Sequence, residues 1–112
     1  THAQMQAQAA ALAQAQASHR AAILAALKDV EDALVALSGD LARQVRLQSA
    51  ASAAAKAAQL ARQRYASGLI DFQTVLQTQR TLLTTQDSLA SNQASLSADH
   101  VRLYKALGGG WQ

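Results

Sequence analysis

The sequence predicts an all-α protein, folded as one long antiparallel helical hairpin of the coiled-coil type. Three observations support this fold class. Alanine, the strongest helix former, is the most frequent residue, the chain has no proline, and one strong helix break lies between two helix-forming stretches. We expect a first helix over about residues 3–66, a tip turn over residues 67–71 and a second helix over about residues 72–107.

The first helix has two parts of different character. Residues 3–17 are mostly Ala and Gln with a weak apolar stripe, so we expect residues 1–20 to fray. Further along, apolar residues recur in steps of four and three, which is typical of a packed helix face. This stripe comprises Ile23, Leu27, Val30, Leu34, Leu37 and Leu41. It falters around Gly39 and resumes in a changed phase, which indicates a change of packing partner.

The turn combines helix-ending residues with exposed apolar candidates. Gly68 suits the left-handed position that closes the first helix, and Asp71 suits the N-cap of the second. Tyr65 and Phe72 could close the hairpin end by packing across the turn. Leu69 and Ile70 could equally project outward as an apolar docking surface. The residues alone leave both interpretations open.

The second helix carries large apolar residues at strict seven-residue spacing: Val75, Leu82, Leu89, Leu96 and Leu103. We predict that the companion stripe lies four residues after each of these, at Gln79, Gln86, Gln93, His100 and Leu107. A mostly amide stripe suits a shallow seam, with another face toward water or further helices. Such a thin, Ala-rich hairpin needs neighbours for stability. We expect the helix to end at Leu107 and residues 108–112 to be irregular.

Composition and spacing argue against several function classes. The net charge is +3, but the ten Lys and Arg residues are spread along the chain without a basic block, so we expect no nucleic-acid binding. The three His residues lack helical metal-ligand spacing, Cys is absent, and the glycine run at residues 108–110 ends a helix instead of opening one. The sequence therefore predicts no enzyme activity, no metal and no cofactor.

Three segments carry a family resemblance. The segment at residues 64–72, with Val75-Leu76 and residues 79–83 after it, resembles the periplasmic tip of TolC-like outer-membrane efflux proteins. It is most similar to the lipoprotein branch that serves resistance-nodulation-division pumps. Residues 27–34 and 103–111 agree with the same family, in the same order along the chain.

The resemblance implies a passive, gated channel-tunnel that exports small molecules, such as drugs or toxic compounds, from a homotrimer in the bacterial outer membrane. Residues 1–112 would be a single fragment, the periplasmic tunnel segment of the second structural repeat. Membrane contact would come only through a β-barrel and a lipid anchor supplied by other segments. The implied partners are a periplasmic adaptor (membrane-fusion) protein and, indirectly, an inner-membrane resistance-nodulation-division transporter.

The resemblance also implies roles for individual residues. The adaptor would dock on the tip residues Ser67, Gly68, Leu69, Ile70 and Asp71. Tyr65 and Phe72 would pack the tip and hold the gate closed. Gln77 would face the lumen near the constriction, where the family often has Asp, so a neutral side chain puts an acidic, cation-binding constriction in question.

Two other interpretations of the chain stay open at this point. Composition fits a generic antiparallel coiled-coil scaffold, an interaction rod without a channel role, equally well. An adaptor-type hairpin of the same pumps fits less well, because the turn and the Gly-Gly-Gly-Trp end are more similar to the outer-membrane component.

Overall fold

A computed structural model describes residues 1–109, and these form the helical hairpin that the sequence predicts. Helix α1 spans His2–Ala66 and helix α2 spans Phe72–Gly109, in antiparallel orientation. The molecule measures 99 × 19 × 14 Å. At 1.5 Å per residue, the 65 residues of α1 account for about 98 Å and the 38 residues of α2 for about 57 Å. Helix α1 alone therefore sets the length of the molecule.

The two helices differ in length, so α1 projects beyond the end of α2. Every residue from 1 to 25 is exposed, and Ala26 is the first one that α2 covers in part. The part of α1 predicted to fray is helical from His2 onward, and fraying in solution stays a prediction. Helix α2 continues through Gly108 and Gly109, two residues past the expected end. The remainder of the segment expected to be irregular, residues 110–112, lies outside the described residues.

The α1 side of the interface is an unbroken series at steps of four and three. Its members are all buried or half-buried: Ala26, Val30, Ala33, Leu37, Asp40, Gln44, Leu47, Ala51, Ala54, Ala58 and Ala61. We call this series and its α2 counterpart the seam. The expected change of phase near Gly39 does not occur. The apolar stripe is interrupted there because two polar residues, Asp40 and Gln44, occupy seam positions. Of the predicted apolar stripe, only Val30 and Leu37 belong to the seam, and the other four residues are exposed.

The α2 side contains the predicted seven-residue stripe, with Val75 buried and Leu82, Leu89, Leu96 and Leu103 half-buried. Its companion stripe lies three residues after each of these positions, at Thr78, Thr85, Asn92, Asp99 and Ala106. The prediction of a companion four residues later was wrong. Positions three and four residues on both neighbour a given side chain on a helix. Hydrophobicity gave no clear choice here, since both candidate stripes consist mainly of polar residues.

Small residues on α1 pack against large residues on α2. The buried residues of α1 are all alanines, at positions 33, 54, 58 and 61, whereas α2 contributes half-buried leucines together with buried Val75, Asn92 and Asp99. A methyl side chain allows close approach but removes little apolar surface from water. Many large apolar side chains are exposed on the outer faces, among them Leu34, Val35, Leu83 and Tyr104. Over residues 1–109, neither helix has a stretch both long and apolar enough to cross a membrane.

Candidate functional site

The turn after α1 is closed by its own backbone. The N–H of Leu69 donates to the Arg64 carbonyl at 2.8 Å, and the N–H of Gly68 donates to the Tyr65 carbonyl at 2.9 Å. Together these bonds form a Schellman motif, with Gly68 as the left-handed residue at φ 75°. The N–H of Ser67 donates to the Gln63 carbonyl at 3.2 Å. Three consecutive N–H groups of the tip are thus satisfied within the chain, and a partner would meet mainly side chains.

Asp71 caps the N-terminus of α2. Its Oδ1 accepts the backbone N–H of Thr74 at 3.0 Å and the Thr74 hydroxyl at 2.7 Å. The bond from the hydroxyl, and then that from the backbone, lower the pKa of the Asp71 carboxyl, because both favour the ionised form. The side chain is therefore engaged in the fold, and its second oxygen remains the part that could meet a partner.

The larger side chains of the tip divide into a contact across the turn and an exposed apex. The rings of Tyr65 and Phe72 lie with their centroids 5.4 Å apart and their planes inclined by 46°. Each ring is about half exposed, whereas Leu69 is 73% exposed and Ile70 is half-buried. The structure brings together the two arrangements that the sequence left as alternatives: an aromatic pair joins the helices, and Leu69 projects outward.

Gln77 lies on an exposed face of α2, close to the tip. It lines a shallow groove between the helices with Ala54, Ala57, Thr78 and Thr81. The Thr81 hydroxyl donates to the backbone carbonyl of Gln77 at 3.1 Å. This bond does not involve the side-chain amide of Gln77. In the part of the chain that the structure describes, no group of three or more His, Asp or Glu residues could hold a metal ion.

Sequence reasoning missed a polar layer in the middle of the seam. Asn92, only 4% exposed, donates to the Asp40 carbonyl at 3.0 Å and to Gln44 Oε1 at 2.9 Å. Asp99 lies two helical turns further along α2 and is 8% exposed. A companion stripe read three residues after each leucine would have found both Asn92 and Asp99, since both fall on it.

Known proteins are similar in sequence to nearly the whole of this chain. The sequence profile of the family described as "Outer membrane efflux protein" matches residues 1–109. This match includes both helices and the tip. The chain belongs to the outer membrane efflux protein family. The resemblance to TolC-like efflux proteins is thereby confirmed, and the relatives below are named as outer membrane proteins of export or efflux systems.

Several curated relatives of this efflux protein come from Pseudomonas. The pyoverdine export outer membrane protein OpmQ of Pseudomonas putida is 44% identical over 96 residues, and OpmQ of Pseudomonas aeruginosa is 38% identical over 96 residues. The toluene efflux pump outer membrane protein TtgI of Pseudomonas putida is 40% identical over 96 residues. Each alignment covers 85% of this chain and 20% of the relative, so the chain spans a fifth of their length. No solved structure matches the chain.

Proposed function

We propose that this efflux protein segment forms the periplasmic tip of a passive outer-membrane conduit for small molecules. Membership of the family supports the export role, as do relatives named for pyoverdine export and toluene efflux. The observation that carries the proposal for the tip is Leu69, a large apolar side chain 73% exposed at the apex of an otherwise closed turn. An exposed apolar group on a rigid support is a typical protein contact.

The partner at this tip is the hairpin of a periplasmic adaptor protein. Because the N–H groups of residues 67–69 are bonded within the turn, recognition rests on side chains and shape. Leu69 provides the apolar contact, Ile70 supports it from a half-buried position, and Asp71 orients the start of α2. The adaptor in turn connects the conduit to an inner-membrane resistance-nodulation-division transporter.

The gate lies in the same region. The Tyr65–Phe72 ring contact joins the last turn of α1 to the first turn of α2. An adaptor that binds better to one arrangement of the tip shifts the conduit toward that arrangement, with this contact as the element that changes. Gln77 faces the lumen as a neutral donor and acceptor. The apolar outer faces of both helices pack against neighbouring helices of a homotrimer.

Site-specific crosslinking tests the docking surface. A single cysteine replaces Leu69 in the intact protein, and a matched control replaces Ala53, an exposed alanine in α1 far from the tip. We expect a crosslink to the periplasmic adaptor from position 69 and none from position 53. If the adduct is absent at 69 while the protein is present in the outer membrane, docking at the tip is contradicted and an interaction rod becomes the better account.

A charge at the apex tests function directly. Leu69→Asp adds a carboxylate to the apolar contact without touching the turn hydrogen bonds, so we expect reduced efflux at unchanged protein amount. Ala53→Asp serves as the matched control and should leave efflux unchanged. Susceptibility of cells to exported compounds is the measurement, together with the amount of trimer. Wild-type susceptibility with Leu69→Asp would contradict the proposed docking role.

A further inference from the structure

The polar layer of the seam has no part in the proposed export function, and its hydrogen bonding is incomplete. Asn92 uses its amide N–H groups on the Asp40 carbonyl and on Gln44 Oε1. One carboxylate oxygen of Asp99, Oδ2, is buried, and among the described residues none donates a hydrogen bond to it. An ionised carboxylate that is buried without a donor is costly, and a proton or a cation at the Asp99 carboxyl would remove that cost.

The groups around Asp99 determine which of these is available. Across the seam from α1, the Asp40 side chain reaches the Asp99 carboxyl, and two carboxyl groups can share a hydrogen bond only when one of them is protonated. On α2, His100 and Arg102 act on Asp99 by charge alone, and the His100 ring bonds the Leu96 carbonyl at 2.8 Å.

Further charged groups line the grooves on either side of this pair. Arg43 and Asp87 share one groove with Asp40, while Asp29 and Asp32 share the other with Arg102. Lys105 also lines the second groove, so positive and negative side chains occur together in both grooves. No group of three or more candidate ligands that could hold a metal ion occurs in the described part of the chain.

We propose that Asp40 and Asp99 form an acid pair that holds one proton between the two helices at mid-hairpin. The proton comes from water and lies between a carboxyl on one helix and a carboxylate on the other. It converts two like charges into a hydrogen bond across the seam. The inference rests on the seam geometry and is independent of what the tip binds.

The pair has a defined dependence on pH. The hydrogen bond with Asp40, then burial, then the Asp40 charge raise the pKa of Asp99, and the opposing charges of Arg102 and His100 are weaker. The folded hairpin therefore binds this proton more tightly than the unfolded chain does. The stabilisation is fully present below the ordinary carboxyl pKa and is lost as the pH rises through the raised pKa of Asp99. Acidification tightens this part of the hairpin.

The test compares thermal unfolding of the intact protein with that of Asp99→Asn at about pH 7 and at about pH 3.5, just below the ordinary carboxyl pKa. An asparagine can donate to Asp40 at either pH. We expect its Tm to exceed that of the wild type by a few degrees at the higher pH, and this gap to shrink at the lower one. Asp40→Asn should shift the Tm in the same way. Asp87 is an exposed acid on α2, the helix of Asp99, and Asp87→Asn should have the same pH dependence of Tm as the wild type.

Three outcomes would overturn the acid pair. The first is an Asp99→Asn variant that is less stable than the wild type at the higher pH with an unchanged pH dependence. The second is an infrared difference spectrum in which Asp99→Asn removes no protonated-carboxyl band. The third is a gain in wild-type Tm on adding Mg²⁺ or Ca²⁺ that Asp99→Asn abolishes without any change in pH dependence, since a cation would then hold the pair.

Discussion

At the scale of single residues, Gly68 and Asp71 determine the shape of the tip. Gly68 takes a positive φ of 75°, and a Cβ built at that position would meet nothing within 4 Å. Its requirement is therefore conformational, since space is available for a side chain. Asp71 holds the start of α2 through two bonds to Thr74. Because ionisation favours these bonds, the cap is at full strength above the ordinary carboxyl pKa and weakens as the pH falls below it, opposite to the acid pair.

We predict that Gly68→Ala destabilises the hairpin by about 1–2 kcal/mol, the cost of left-handed backbone for an L-residue. Gly39→Ala is the matched control. Gly39 lies inside α1 with open space around its Cα, so alanine there should stabilise the helix by roughly 0.5–1 kcal/mol. Denaturant unfolding measures both variants. Shifts of the same sign would contradict the role assigned to the left-handed turn.

At the scale of elements, the seam joins a face of α1 that is rich in alanine to the leucine stripe of α2. Ala58 is 0% exposed, so a longer side chain there has no room unless the helices separate. This type of seam gains little free energy per position, because each alanine buries only a methyl group. Its stability depends on close approach along the whole length of α2.

We predict that Ala58→Leu destabilises the hairpin by about 1–3 kcal/mol through overpacking. Ala53→Leu, on an exposed face of the same helix, should change the free energy of unfolding by less than about 0.5 kcal/mol. Chemical denaturation of the two variants is the measurement. A neutral Ala58→Leu would mean that the helices are not closely packed at this position.

The extent to which sequence predicted these elements follows from the strength of each signal. Gly68 and Asp71 fixed the ends of the helices because their chemistry is specific to caps. The leucine repeat of α2 identified its seam face. Only Val30 and Leu37 of the α1 seam were found, since alanine on all faces gives no contrast, and exposed Ile23, Leu34 and Leu41 gave a misleading stripe. Asn92 and Asp99 were missed for a related reason, because buried polar residues contradict a pattern based on hydrophobicity.

At the scale of the whole molecule, one helix is long enough to outreach its partner by many turns. Residues 1–25 of α1 are exposed, and the outer faces of both helices carry large apolar residues. The hairpin therefore has one covered face and several uncovered ones. This distribution suits a wall element, whose stability is shared with neighbouring helices.

We predict that the isolated chain exchanges its amide hydrogens unevenly. Residues 2–22 have no partner helix in the hairpin and are rich in Ala and Gln, so their hydrogen bonds should open by local fraying. Residues 30–61 lie along the seam and should exchange more slowly. Hydrogen–deuterium exchange followed by mass spectrometry measures this difference. Uniform protection along α1 would show that the overhang is stabilised by contacts of another kind, such as self-association.

The alanine run has a consequence for alignment along the hairpin axis. Ala51, Ala54, Ala58 and Ala61 repeat the same side chain at successive seam positions, so within this run an α2 side chain would meet the same surface after a shift of one heptad. Within residues 1–109, Asn92 donates hydrogen bonds from α2 to α1, and the proposed Asp40–Asp99 hydrogen bond crosses the same seam. The position of α2 along α1 is therefore fixed by these polar contacts and by the turn.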